Sequence, residues 1–432
     1  MEATKAAQVK PKSGTDAKSN FGAKGWHVII FCAFMLFFST GTSVDGLNAT
    51  VPALAALHGW DEATLLSFST VSGLISIAGM FVFGLVCHKK GARFTAVLSL
   101  ALGGAAYIWY GNVQSVMQYA LALILVSLFA NVYAWIAGGA YLSSWFPKKK
   151  GLALGWATMG NNISSALIVV ILTFLANRMG MPMAITVIGI AMLALAVWGI
   201  FVKNNPEDMG ATPDNEPMSV EAMEAYRKQA DDYVSPWTFA RLVKTKEFWF
   251  ISLGLGLYML VTVGVMSQLV PRMVALGLEQ NTAIASMTVC AVIGIVGSYL
   301  WGVLDQKLTT RVATAVYGVW YAVAILFNLL PGRPCLYISI FMIGMAIGGN
   351  ANWPASLVTT VYGHRNFAKV YSLINPCISI IRVCAFSVLA LALTLTGSLS
   401  GAYVVFVVLL FIAAFLILKV DDKKYADGNT CV

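Results

Sequence analysis

Charge is scarce in this chain of 432 residues: Asp, Glu, Lys and Arg together make up 11%, where an ordinary soluble domain carries about 25%. That is too few to cover the surface of a water-soluble protein, and nothing in the sequence suggests a large extramembrane domain in which they are concentrated. Most soluble enzyme classes are excluded. The seven cysteines (Cys32, Cys87, Cys290, Cys335, Cys377, Cys384 and Cys431) form no CxxC pair, and only four histidines occur. Neither a disulfide framework nor a metal site is therefore expected. HExxH, a nucleotide-binding glycine loop and a nucleophile–base pairing are missing as well, so neither an enzyme nor a cofactor is expected.

Apolar residues dominate instead, at 59% with a mean hydropathy of +0.77. A transmembrane helix needs about 20 mostly apolar residues to cross a hydrocarbon core of about 30 Å. Twelve such segments are predicted, at 27–51, 62–87, 92–112, 116–145, 151–177, 181–202, 247–273, 281–304, 311–330, 335–361, 367–394 and 400–419. The expected fold class is an all-α membrane protein with twelve transmembrane helices in two six-helix bundles. Its parts are a tail over 1–26, a first bundle over 27–202, a linker over 203–246, a second bundle over 247–420 and a tail over 421–432. The linker is the only long polar stretch, and its segment Ser219–Asp232 is expected to form a short surface helix.

The formal charge of +9 would suggest nucleic acid in a soluble chain, but its placement assigns it to topology. The first tail holds five Lys or Arg residues, the turns after spans 2 and 4 three each, and the linker six. The turns after spans 8 and 10 hold two each and the last tail three, which places 24 of the 28 basic residues on one side. Since basic loops stay in the cytoplasm, both termini are expected there, in a multi-pass protein of the cell (inner) membrane. The lipid bilayer is the partner and nucleic acid is not. No A-x-A-like cleavage site follows the first apolar run, so span 1 is expected to be retained.

The turn after span 2 reads Gly84-Leu85-Val86-Cys87-His88-Lys89-Lys90-Gly91-Ala92-Arg93 and resembles the G-x-L-x-D-[RK]-x-G-x-[RK] signature of the major facilitator superfamily. A weaker copy, Trp301-Gly302-Val303-Leu304-Asp305-Gln306-Lys307 with Arg311, follows span 8. Glycines allow a tight turn there and basic residues hold it on the cytoplasmic side. Trp145-Phe146-Pro147-Lys148-Lys149-Lys150-Gly151-Leu152-Ala153-Leu154-Gly155 is similar to a segment of the oxalate/formate antiporter and monocarboxylate porter branch. So are Pro206-Glu207-Asp208-Met209-Gly210 with Pro213-Asp214, Lys244-Thr245-Lys246-Glu247-Phe248-Trp249 and Gly363-His364-Arg365-Asn366-Phe367. The resemblance runs from Gly25 to Val420. It implies the major facilitator fold, alternating access, and a small organic anion moved by exchange or with a proton, in a monomer. It also implies that Gly84, His88, Arg93, Asp305 and Arg311 belong to conformational loops.

The chain departs from that branch at two places. His88 stands where the signature has Asp, and Ser298 and Ile374 stand where oxalate-exchanging members have an Arg and a Lys. A dicarboxylate then lacks its two cations, which argues against oxalate.

Ionisable groups at membrane depth cost several kcal/mol and usually face a cavity or a partner. Asp45 lies about 27 Å along span 1 and Arg382 about 24 Å along span 11, both counted from the cytoplasmic side at 1.5 Å per residue. They are opposite charges in different halves at a common depth. Either they pair across the outer gate, or each finds a polar partner within its own bundle. Arg382 is the preferred carboxylate ligand because its planar fork offers parallel hydrogen bonds, and Asp45 is the candidate proton carrier. Arg272, at the outer end of span 7, is expected to snorkel to the interface. Further candidates for the cavity wall are Ser43, Asn131, Tyr133, Trp135, Asn161, Asn162, Tyr258, Asn350, Asn352, Trp353, Tyr371 and Asn375; buried Asn serves equally as glue between helices. The leading expectation is a secondary transporter of a monocarboxylate, with protons or a counter-anion as second solute. The alternative is efflux of an amphipathic or aromatic compound.

Overall fold

The computed structural model describes residues 21–231 and 233–425. Of the expected tails, 1–20 (with Lys5, Lys10, Lys12 and Lys18) and 426–432 (with Cys431) lie outside the described residues. Ten described helices are long and apolar enough to cross a membrane, and an eleventh span arises from two shorter helices that meet at 45°. The helix Glu62–Gly111 is interrupted at Gly91 (φ 86°, ψ 167°), a conformation essentially confined to glycine. Counting its two sides separately brings the total to the twelve expected spans.

In chain order, α1 is Gly22–Thr40, extended through a π-helical turn Gly41–Asp45 into Leu47–His58. The two sides of Gly91, 62–90 and 92–111, are α2 and α3. Helix α4 is Val116–Asn131, a π-helical turn Val132–Ala137 and Gly138–Trp145; α5 is Lys150–Met179 and α6 Met181–Gly199. Then follow α7 (Lys246–Ala275), α8 (Gln280–Lys307) and α9 (Thr310–Leu329). Helix α10 is the bent pair Arg333–Asn350 and Trp353–Tyr362, α11 is Phe367–Val383 and Ala385–Thr396 with a break at Cys384, and α12 is Leu399–Leu418. Helix α1 starts five residues before the expected 27. The linker contains a helix, Val220–Asp231, close to the one expected at 219–232.

Short polar side chains mark where several spans begin. The side chains of Asp61, Ser115, Thr245, Thr309 and Ser398 each accept a hydrogen bond from a backbone N–H three residues on, satisfying one of the donors that every helix start leaves open. Helix α5 is capped from outside its own sequence. The carboxylate of Asp214, in the linker, accepts from the backbone N–H of Lys148 (3.0 Å) and of Lys149 (2.7 Å), and Lys149 Nζ donates to the Asp214 carbonyl at 2.7 Å. Burial pushes the Asp214 carboxyl above the usual carboxylate range, against the opposing pull of those two donors.

Helices α1–α6 pack among themselves and so do α7–α12, while the broadest contacts between the halves are α5 with α8 and α2 with α11. The linker, the start of α1 and the last described residues share one face, called here the linker face. Near it α5 and α8 approach backbone to backbone: a Cβ on Gly302 would lie 2.9 Å from Gly155 Cα, a spacing that only small residues permit. Most of the hydrogen bonds found between the halves among the described residues lie along this seam, and Asn375 Nδ2 to Met80 Sδ (3.5 Å) joins α11 to α2 beside it. Ser143 pairs with Thr359 (2.8 Å), Gln306 Nε2 donates to the Lys148 carbonyl (3.0 Å), Asn162 Nδ2 donates to Ser298 Oγ (2.8 Å), and Lys150 reaches Thr360 and Thr158 reaches Asn352. The molecule is closed at the linker face.

The linker is fastened to both halves. Lys24 Nζ donates to the Gly210 carbonyl (3.0 Å) and Lys148 pairs with Glu216 (2.6 Å) on the first half. On the second half, Trp237 packs edge-on against Tyr362 (4.9 Å) and Tyr425 (5.0 Å), and Asn366 Nδ2 donates to Tyr233 Oη (2.6 Å).

Candidate functional site

Between the halves, α4, α7, α10 and α11 enclose a cavity of about 60 Å³ lined by Asn131, Trp135, Met259, Pro354, Tyr371, Asn375, Ile378, Ser379 and Arg382. Its walls have irregular backbone: the π-helical turn of α4 holds Trp135, the bend of α10 precedes Pro354, and α11 breaks two residues after Arg382. π-bulges recur at functional sites, and non-regular backbone at membrane depth is tolerated where it lines a cavity. Tyr371, Asn375, Ile378 and Ser379, and Arg382 succeed one another at three- and four-residue spacing, so one stripe of α11 supplies five of the nine lining residues. Arg382 is exposed. Tyr371 is held by stacking on Phe367, with ring centroids 4.8 Å apart.

Five sequence candidates therefore meet at this cavity: Asn131, Trp135, Tyr371, Asn375 and Arg382. The others lie elsewhere. Tyr133 is buried in the first half, Tyr258 Oη donates to the Thr314 carbonyl (3.1 Å), and Trp353 packs against Trp301 (5.9 Å) and Tyr317 (5.5 Å). Asn350 Nδ2 donates to Thr262 Oγ1 (3.1 Å), so it braces α10 on α7. Asn162 and Asn352 belong to the seam between the halves, Asn161 accepts from Thr40, and Ser43 Oγ donates to the Ser39 carbonyl (2.7 Å). Met259, Pro354, Ile378 and Ser379 complete the wall without having been anticipated. Ser379 was findable, lying one turn beyond Asn375 on the stripe that ends in Arg382, whereas Met259 and Pro354 offered no polar signal.

Asp45 closes the π-helical turn of α1, and its carboxylate accepts from Ser165 Oγ of α5 at 2.6 Å. Among the described residues no ion pair within 4 Å joins it to Arg382. Asp45 thus has a polar partner within its own bundle, whereas Arg382 has no hydrogen bond or ion pair among the described residues, so neither of the two arrangements left open by the sequence is met in full. Arg272 does not snorkel. It is 6% exposed and held by Asn328, Ser400 and Tyr403, because the ends of α9 and α12 supply acceptors for three of its five N–H donors.

The loop residues gather at the linker face. Gly84 abuts Ser372 of α11. His88 lines a cleft of about 310 Å³ with Ser144, Asn204, Glu207, His364 and Arg365. The backbone N–H of Arg93 donates to Asn204 Oδ1 (2.7 Å). Asp305 is buried at the α5–α8 approach, where it accepts from Ser356, and Arg311 Nη1 donates to the Val420 carbonyl (3.2 Å). The two signatures thus occupy corresponding places on either side of the seam.

With this geometry in hand, three likenesses to known proteins are informative. Mouse monocarboxylate transporter 14 is 27% identical over 200 residues, covering 45% of this chain and 38% of its own length. The "Probable hexose phosphate transport protein" of Chlamydia pneumoniae is 24% identical over 196 residues, or 44% of this chain and 42% of its own. The chain thus spans under half the length of these curated relatives. The solved structure of the Escherichia coli fucose:proton symporter FucP superimposes over 92% of this chain and 98% of its own, with a TM-score of 0.68 at 12% identity, a likeness of fold. The model of the Major Facilitator Superfamily matches residues 29–386. Twelve spans in two halves, paired loop signatures at the linker face and a cavity between the halves all agree with that match, and the chain belongs to the Major Facilitator Superfamily.

Proposed function

We propose that this protein is a secondary active transporter that moves a small organic anion, a monocarboxylate, across the cell membrane by alternating access. The linker face is cytoplasmic in this reading, so the structure corresponds to a state closed towards the cytoplasm. The observation that carries the proposal is the position of Arg382. It is the one cation among the residues that line the cavity, and it stands beside hydrogen-bonding Asn131, Asn375 and Ser379 and apolar Met259 and Ile378. One guanidinium suits one carboxylate, with two parallel N–H···O bonds. A dianion such as a phosphate monoester would leave charge unmatched in a partly dehydrated site. The cavity has room for about two waters, enough for a carboxylate head with its short body extending towards the opening.

Asp45 supplies the coupling. In this state it is held by Ser165, and closure of the outer end brings its wall towards that of Arg382. An anion on Arg382 then decides whether Asp45 meets a free or an occupied cation, which links proton affinity to cargo.

The test is counterflow in proteoliposomes with labelled carboxylates. Saturable exchange of one or more monocarboxylates without ATP is expected, weakened by Arg382→Ala. Exchange of phosphate esters or neutral aromatic compounds alone, indifferent to Arg382, would overturn the reading.

A further inference from the structure

On the outer end of the second half, well away from the cavity, the structure contains a buried cation with no buried anion to match it. Arg272 lies one turn before the end of α7, Asn328 next to the end of α9, and Ser400 at the start of α12. Arg272 Nε donates to Asn328 Oδ1 (2.9 Å), Nη2 to the Asn328 carbonyl (3.1 Å) and Nη1 to Ser400 Oγ (2.7 Å), while Tyr403 presents its ring 5.4 Å from Arg272 Cζ. All these partners are neutral, and among the described residues no carboxylate lies within 4 Å of the guanidinium. Burying a charge on neutral acceptors alone is costly.

The unused hydrogen-bonding capacity has one sign. A guanidinium offers five N–H donors, of which three are engaged, leaving one on each Nη. Asn328 Nδ2 and Tyr403 Oη are also buried and have no partner among the described residues. The amide orientation of Asn328 is fixed, because its oxygen must face Arg272 Nε, so its N–H₂ cannot be exchanged for an acceptor. Each of these open groups can donate, and three of the four can only donate. We infer that Arg272, Asn328 and Tyr403 hold a small monovalent inorganic anion, chloride, which neutralises the guanidinium and clasps the outer ends of α7, α9 and α12. The site is separate from the Arg382 cavity and independent of which cargo is carried.

Thermal unfolding of the purified protein in chloride against gluconate, at equal ionic strength, reads this directly, since gluconate is a far bulkier anion than chloride. Chloride at several times its Kd is expected to raise the wild-type Tm by about 1–2 °C. Arg272→Met should lose that increment. Asn328→Asp, which puts a fixed carboxylate beside the guanidinium, should keep the high Tm in both salts. Equal wild-type Tm values in the two salts, or a chloride increment that survives in Asn328→Asp, would overturn the inference. Crystals grown in bromide give an answer that needs no variant: an anomalous peak within hydrogen-bonding range of the Arg272 Nη atoms is expected, and none there rejects the site.

Discussion

At the linker face the halves touch backbone to backbone, Gly155 against Gly302, with Ser143, Lys150 and Thr158 bonded across. At the opposite face Asp45 and Arg382 stand on different halves without an ion pair. These ends obey different distance laws. Van der Waals contact and hydrogen bonds act within a few tenths of an ångström of one spacing, so the linker end is either seated or released. Charges attract over a longer range and tolerate intervening water, so in the proposed cycle the outer end begins to close while still wet and responds to whatever ion lies between the walls. In the proposed transport cycle, a steric latch at one end and an electrostatic one at the other let cargo act on only one of them.

The sharpest way to break that comparison is to neutralise the acid. Asp45→Asn fixes the form a proton would create, so exchange should persist while uptake driven by a pH gradient is lost. Both are measured on one preparation, and normal gradient-driven uptake would remove Asp45 from coupling. Removing the cation comes next. Arg382→Ala should weaken cargo binding about 10–150-fold, from the 1.5–3 kcal/mol of a hydrogen bond to a charged group, and Arg382→Lys should recover only part of it. Equal affinities in equilibrium binding would return Arg382 to a structural role.

The steric end is probed by Gly302→Val. Overpacking a tight contact costs about 1–3 kcal/mol, which shifts a two-state balance about 5–150-fold. The expected direction is away from the state closed at the linker face, read as faster modification of single cysteines placed in the seam; unchanged labelling would mean the approach is not the latch. The smallest effect is expected at His88, beside the start of α11. A helix start favours anions over cations by about 0.3–1 kcal/mol, so His88→Asp should strengthen closure at the linker face about two- to fivefold, visible in the same labelling.

The spans were legible because hydropathy needs only length and apolarity, and the loop signatures were legible because glycine and basic residues are needed there in order. Where spans bend was not: nothing in Gly41–Asp45 or Val132–Ala137 announces a π-helical turn, which depends on what neighbouring helices press against. The cavity was read in part. Arg382 and Asn375 announced themselves as polar residues in an apolar helix, but Trp353 and Tyr258 looked the same by that criterion and turned to the interior of their own half. Composition places a residue at a depth, and only packing decides its side. Arg272 teaches the same lesson in reverse, since its interior position depends on acceptors at the far ends of α9 and α12.

The linker is anchored to the first half up to Glu216 and to the second half from Tyr233 onward. The sixteen residues between, 217–232, could reach about 55 Å if drawn out, far more than any rocking of the halves demands. Twelve of those residues form the helix Val220–Asp231, about 18 Å long at 1.5 Å per residue, so most of that length is held in reserve and is released only if the helix unwinds. The contacts that join the halves directly, α5 with α8 and α2 with α11, all lie outside 217–232, so a chain opened within that segment keeps every one of them.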